Sequence, residues 1–245
     1  ENGVTIKACP DANVGDIGTV NGVEYTIVDR DMLDLMIENE EDVTKVCTSL
    51  ISDMLYLFSD TPFNQDISSW DVSNVTNMGG MFSDTPFNQA IGSWDVSSVT
   101  TMAFMFFNTP FNQDIGNWDV SSVLVMNSMF SDTPFNQDLS NWEVENVATM
   151  MYMFNSSNFN QDIGNWDVIS VINMKFMFSG SSFNQDISSW DVSSVGIMQG
   201  MFYDTPFNQD LSNWSVGNVT SCSSFSQGAS AWTLPQPNFT NCNPN

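Results

Sequence analysis

The sequence predicts an α/β repeat solenoid: right-handed coils stacked on a parallel strand ladder, with short helical turns and a disulfide-bearing cap at each end. Three observations carry this prediction. Trp70, Trp94, Trp118, Trp142, Trp166, Trp190 and Trp214 lie 24 residues apart. Phe-Asn-Gln recurs in the same phase, starting at Phe63, Phe87, Phe111, Phe135, Phe159, Phe183 and Phe207. Methionine follows the same period at Met54, Met78, Met102, Met126, Met150, Met174 and Met198, with further series from Leu57 to Met201 and from Phe58 to Phe202.

Within one unit the two halves have different periods. Met78, Met81 and Phe82 stand at i, i+3 and i+4, which suits a short helical turn with one inward face. Pro86 and its equivalents then stop any helix. Ile67, Trp70, Val72 and Val75 follow as apolar-x-x-apolar-x-apolar-x-x-apolar, the spacing leucine-rich repeats use around their strand. Trp70-Asp71-Val72 is accordingly expected to alternate in, out, in as a strand. No unit can bury its apolar side alone, so neighbours must stack. The Trp, Met and Phe series are expected to be core, with the tryptophans forming an aromatic ladder. The recurring Asn should bond turn backbone or its equivalents in neighbouring coils.

The array is expected to span residues 51–221, between an N-terminal cap at 1–50 and a C-terminal cap or linker at 222–245. In the first cap, Val4 to Ile6 and Val23 to Val28 read as strands, with Asn21-Gly22 as a tight turn. Asp31 to Val46 reads as a helix with Met32, Leu35, Met36 and Val43 on one face. In the last cap Cys222 replaces the expected Met, and Pro235, Pro237 and Pro244 mark irregular chain. Four cysteines allow three pairings. Two flank each side of the repeats, so Cys9–Cys47 and Cys222–Cys242 is the economical pairing, and it implies an oxidising compartment. Zinc does not fit, because the chain has no C-x-x-C pair and no histidine.

With 29 acidic and four basic residues the formal charge is −25. Such a polyanion repels nucleic acid and anionic membrane surfaces and suits salt, cations or a basic partner. No apolar run of membrane-spanning length occurs. The chain starts at Glu1 rather than at an initiator Met. A removed leader or a fragment of a longer secreted protein is the expectation.

The motif M-F-x-x-x-x-x-F-N-x-D-I-x-x-W-D-V-S-x-V-T-x-M over residues 51–221 resembles the BspA-like leucine-rich repeats of bacterial surface proteins. It is most similar to the branch of about 25 residues per repeat known from mycoplasmas and marine Bacteroidetes. The resemblance implies surface exposure, adhesion or partner binding, and no catalysis. Ala90, Glu143 and Ser215 depart from the Asp of the motif, and the fifth and sixth repeats lack Asp-Thr-Pro.

Two carboxylate files are the candidate sites. Asp71, Asp95, Asp119, Glu143, Asp167 and Asp191 would line the exposed strand position and form a partner-binding face. Asp66, Asp114, Asp138, Asp162, Asp186 and Asp210 form a second file that could hold calcium, which takes six to eight oxygen ligands. Like charges one strand spacing apart repel by about 1 kcal/mol in water, so salt, hydroxyl donors such as Ser69 and Ser73, or cations must relieve them. The competing reading is a solvated acidic face whose Asp residues cap turns. Each acid recurs along the array, whereas a catalytic centre is a unique constellation, so an enzyme is not expected. The expected partner is a protein or glycan on another surface, or the chain itself end to end in a filament. A calcium-stabilised spacer is a further reading. Sequons at Asn74, Asn155, Asn213, Asn218 and Asn238 matter only in a host that glycosylates.

Overall fold

The computed structural model describes residues 5–245. The chain forms a regular repeat array with a small mixed sheet and one short helix at its N-terminal end. Strand β1 (Ile17–Val20) pairs antiparallel with β2 (Val23–Ile27) through Asn21-Gly22, whose φ values of 52° and 81° suit a primed hairpin turn. Helix α1 (Arg30–Glu38) starts at Asp29, whose carboxylate accepts the Met32 N–H. Strand β3 (Val46–Cys47) adds parallel to β2. The helix is shorter than expected and ends before Val43, and Leu35 faces solvent at 59% exposure while Leu33 is the residue it buries. Of the expected first strand, Val4 lies outside the described residues. Ile6 is not in a strand: its N–H bonds the Ser69 carbonyl, tying the cap to the array.

The units differ from expectation in both halves. Among the described residues no helix forms at Met-x-x-Met-Phe and no strand at Trp-Asp-Val. In the first half the chain instead makes a run of overlapping β-turns. Leu57, Ser59 and Thr61 N–H groups bond the Met54, Tyr56 and Phe58 carbonyls of their own unit. The alternate N–H groups, of Met54, Tyr56, Phe58 and Asp60, reach across to the Asn77, Gly79, Met81 and Ser83 carbonyls of the next unit. The same set of four recurs at each junction, ending with Met198, Gly200, Phe202 and Asp204 on Ser221, Ser223, Phe225 and Gln227. A helix cannot do this, because it commits every N–H to its own chain four residues back. The result is a turn ribbon with parallel bridges, Asp53↔Asn77 through Ile197↔Ser221.

In the second half, Trp70 N–H returns to Ile67 O and Val75 N–H to Val72 O. The spacing read as a strand is thus two consecutive turns, with apolar residues at the first and last position of each. Ile67, Trp70, Val72 and Val75 all point into the core as a consequence.

That core is continuous from α1 to the C-terminal residues. Within a unit Phe58 stacks on Phe63 at 3.6 Å, and Phe58 lies 5.6 Å from Phe82 of the next unit. Stacked tryptophans such as Trp142 and Trp166 are 6.4 Å apart. Each indole N–H donates 27 residues back, as Trp118 does to Ile91 O at 3.1 Å. The series begins with Trp70 on Val43 O in the first cap. The Asn-Gln series forms a second ladder. Asn64 Oδ1 accepts Asn88 N–H and Gln89 Nε2–H, both at 3.0 Å, and the pattern repeats to Asn208.

Hydroxyls explain how the fifth and sixth units keep the fold without Asp-Thr-Pro. Thr85 Oγ1 donates to Phe82 O and accepts the Phe87 N–H, and Ser157 and Ser181 make the same pair of bonds. Where proline is lost, the restored Asn158 and Ser182 N–H groups donate to Thr133 O and Ser157 O of the preceding unit.

At the C-terminal end the parallel ring stack is closed by rings turned edge-on. Phe225 meets Phe202 at 81° and Trp232 meets Phe207 at 71°. An edge-on ring places its positive rim against the negative face of the last ring. The Cys222–Cys242 disulfide holds this cap, closing a sequence separation of 20. The expected Cys9–Cys47 bridge is absent and both thiols are free. Cys47 is buried and donates to Ile6 O at 3.2 Å, next to Ser49 Oγ, while Cys9 is exposed.

Trp118→Phe removes the indole donor and leaves Ile91 O with the Trp94 N–H alone, so it should lower the unfolding free energy by about 1 kcal/mol in denaturant titration, the worth of one hydrogen bond. A thiol reagent should label native Cys9 and reach Cys47 only on unfolding. Reduction of Cys222–Cys242 should cost about 3 kcal/mol in the same titration, as expected for a loop of that size.

Candidate functional site

The two acidic files occupy equivalent places in the two turns of the second half. Asp66 and its equivalents stand one residue before the first turn, and Asp71 and its equivalents one residue before the second. From there a carboxylate accepts the N–H two residues on. Asp66 takes Ser68 N–H, Asp114 Gly116, Asp138 Ser140, Asp162 Gly164, Asp186 Ser188 and Asp210 Ser212, at 2.8–3.0 Å. In the other file Asp95 and Asp119 accept both the N–H and the hydroxyl of Ser97 and Ser121, while Asp167 and Asp191 accept the Ile169 and Ser193 N–H groups. The turn-capping reading therefore describes the aspartates of both files.

These bonds hold the carboxyls of Asp119, Asp138, Asp186, Asp191 and Asp210 below their ordinary value, in each case through the serine two residues on. Asp71 is a special case. It is 3% exposed, so it belongs to the interior of the N-terminal junction rather than to a binding face. Burial opposes its charge, yet the Ser49 and Ser73 hydroxyls, at 2.6 and 2.7 Å, and Lys7, at 3.8 Å, hold its carboxyl down. The remaining members, Asp95, Asp119, Glu143, Asp167 and Asp191, are exposed as expected. A shallow depression brings Asp119 beside Glu143, and another brings Asp162 beside Asp186. Among the described residues no three His, Cys, Asp or Glu side chains converge as metal ligands.

A different surface is missed by the carboxylate reading. In each unit the turn ribbon has two residues at positive φ, the third residue of a turn, which type II turns reserve for Gly or Asn. The first of these positions is held by Tyr56, Gly80, Phe104, Ser128, Tyr152, Phe176, Gly200 and Ser224, with φ from 52° to 60°. Its larger side chains reach solvent, Tyr56 at 56% and Phe104 at 38% exposure with Tyr152 and Phe176 half-buried, whereas Ser128 is buried. Where glycine stands, the preceding ring fills the space. A Cβ on Gly80 would run into the Tyr56 ring, and one on Gly200 into the Phe176 ring. Tyr152 stacks on Phe176 at 5.2 Å. The second positive-φ position carries Asp60, Asp84, Asp132 and Asp204. The signal available in the sequence was variation: units that agree at Trp, Met, Phe, Asn and Gln differ at this place.

Because a carboxyl held below 3.8 binds fewer protons folded than unfolded, its contribution to stability is present in full above that value and is lost as the pH falls from it through the lower value of the folded chain. Asp71→Asn should therefore flatten the acid side of a melting-temperature profile relative to the parent chain, while leaving the profile near neutrality parallel.

No curated protein and no solved structure matches the chain. One family does match, over residues 30–134, 86–181 and 131–239, so that its copies overlap across most of the repeat array. The chain belongs to the family described as Mycoplasma protein of unknown function, DUF285.

Proposed function

We propose that this chain is a capped solenoid of the BspA-like kind, serving as a non-catalytic recognition or adhesion module outside the cell. The observation that carries the reading is the closure of both ends. The ladders run into cap backbone at Glu41 and Val43 on one side and at Thr233 and Leu234 on the other. Edge-on aromatics finish the stack. What such a molecule offers a partner is its long lateral surface, as in other repeat proteins. The acidic side chains support the same reading, because they recur unit by unit and are engaged in holding turns. The Cys222–Cys242 bridge fits an oxidising compartment. Closed ends also favour a single module over an end-to-end filament.

The exposed carboxylates set the sign of the encounter. A charge of −25 disfavours anionic partners and speeds the approach of basic ones, within a screening distance of about 8 Å at physiological salt. Fluorescent chain should bind isolated cell-envelope material saturably, be displaced by unlabelled chain, sediment alone as a monomer and leave the material chemically intact. Release of soluble fragments, absence of saturable binding, or regular filaments in the electron microscope would each overturn the proposal.

A further inference from the structure

We infer that the strip of the turn ribbon centred on Tyr56, Phe104, Tyr152 and Phe176 docks a protein segment that is apolar at its centre and basic at its edges. The inference rests on the recognition reading above and names its surface and partner.

Three observations converge. The first is backbone strain. An L-residue in the left-handed region is strained, and bulky side chains are the least suited to it. Gly80 and Gly200 occupy the same position with φ of 59° and 60°, so the ribbon itself is served by glycine. Tyr56, Phe104, Tyr152 and Phe176 nevertheless stand there. Strain kept against an available relaxed alternative points to a use for the side chain. Part of that use is local, since the Tyr56 and Phe176 rings cover Gly80 and Gly200 of the next unit, but Tyr56 is still 56% and Phe104 38% exposed, which leaves ring surface for a partner.

The second is the distribution of difference among units. Positions that build the core and the ladders are nearly identical from unit to unit, whereas this outward strip runs through Tyr, Gly, Phe, Ser, Tyr, Phe, Gly and Ser. A surface that only needed to be soluble would suit one polar residue throughout. A surface that must fit one partner needs each unit to differ.

The third is charge complementarity. Exposed apolar groups form the middle of the strip, and the neighbouring outward position carries Asp60, Asp84, Asp132 and Asp204 as an acidic rim. An apolar centre within a polar rim is the usual anatomy of a protein interface, with aromatic residues enriched at its centre. Only four residues of the whole chain are basic, so the cations that match this rim must come from the partner.

The test uses an 18-residue amphipathic Leu/Lys helical peptide and a scrambled peptide of equal composition, with binding to the full chain followed by fluorescence anisotropy. The amphipathic peptide should bind at least about tenfold more tightly than the scrambled one, and more weakly as salt rises. Tyr56→Gly with Phe104→Gly and Phe176→Gly should abolish that preference in a chain that still melts cooperatively, and Phe104→Gly alone, which leaves the rings over Gly80 and Gly200 in place, should weaken it. Asp60→Asn with Asp132→Asn should weaken binding and flatten its salt dependence. Equal affinity for the two peptides, or a preference unchanged in the triple-glycine chain, overturns the inference. If the glycine variants instead lose retardation by a neutral polysaccharide such as hydroxyethyl cellulose, and neither peptide binds, the docking of protein is overturned while recognition stands. If the chain also fails to bind envelope material, the recognition reading falls with it.

Discussion

The array depends on a division of labour among backbone N–H groups. Along the turn ribbon every second N–H closes a turn within its unit, and the ones between cross to the next unit. Neither set suffices alone. Turns without the crossing bonds would be isolated loops with unsatisfied groups on both flanks, and crossing bonds without turns would require extended chain too long for the 24-residue period. The local turns also set which side chains go inward. Leu57, Phe58, Met78, Met81 and Phe82 are buried because the turn geometry sends them there, and each then meets its equivalent one unit on.

The second half of the unit uses different means to the same end. Its backbone bonds are mostly local, so side chains make the junction: the indole N–H reaching back, the Asn-Gln ladder, and a carboxylate before each turn. This explains how the chain tolerates its charge. Each aspartate carboxylate in the two files accepts a turn N–H, and Asp71, Asp95 and Asp119 a serine hydroxyl as well, so part of the solvation is built into the fold. Asp71, with Lys7 and two serine hydroxyls around it, carries this furthest and does so at the junction where the irregular N-terminal segment must be fastened.

The repeat, its length, its apolar lining and the ladder of asparagines were legible in the sequence because each is a matter of period and residue type. The local conformation was not. Met78, Met81 and Phe82 satisfy a helix and a run of overlapping turns equally, since both return the chain every three to four residues. Ile67-x-x-Trp70 and Val72-x-x-Val75 fit the flanks of a strand and two successive turns alike, and only the partner of the Trp70 N–H separates them. The two carboxylate files are visible as a period in the sequence, but their work inside the turns depends on bonds two residues long that spacing alone leaves open, and the burial of Asp71 depends on the N-terminal junction. Cys9 and Cys47 were paired by position in the chain, whereas the structure leaves both free, Cys47 buried on the Ile6 carbonyl and Cys9 exposed. The ribbon strip was visible only as disagreement between repeats, which a search for agreement passes over.

The indole bond has a further consequence. It runs back by the same 27 residues from Trp94 to Trp214, and the first of the series lands on the cap at Val43 O just as the others land on a preceding unit. Every internal junction thus presents the same pair of surfaces. A gene encoding this protein could gain or lose whole units by unequal recombination, and the new neighbours would find each other's donors and acceptors already in register. Length is then an inheritable variable that selection can adjust without redesigning either cap, and with it the number of outward positions available to diversify.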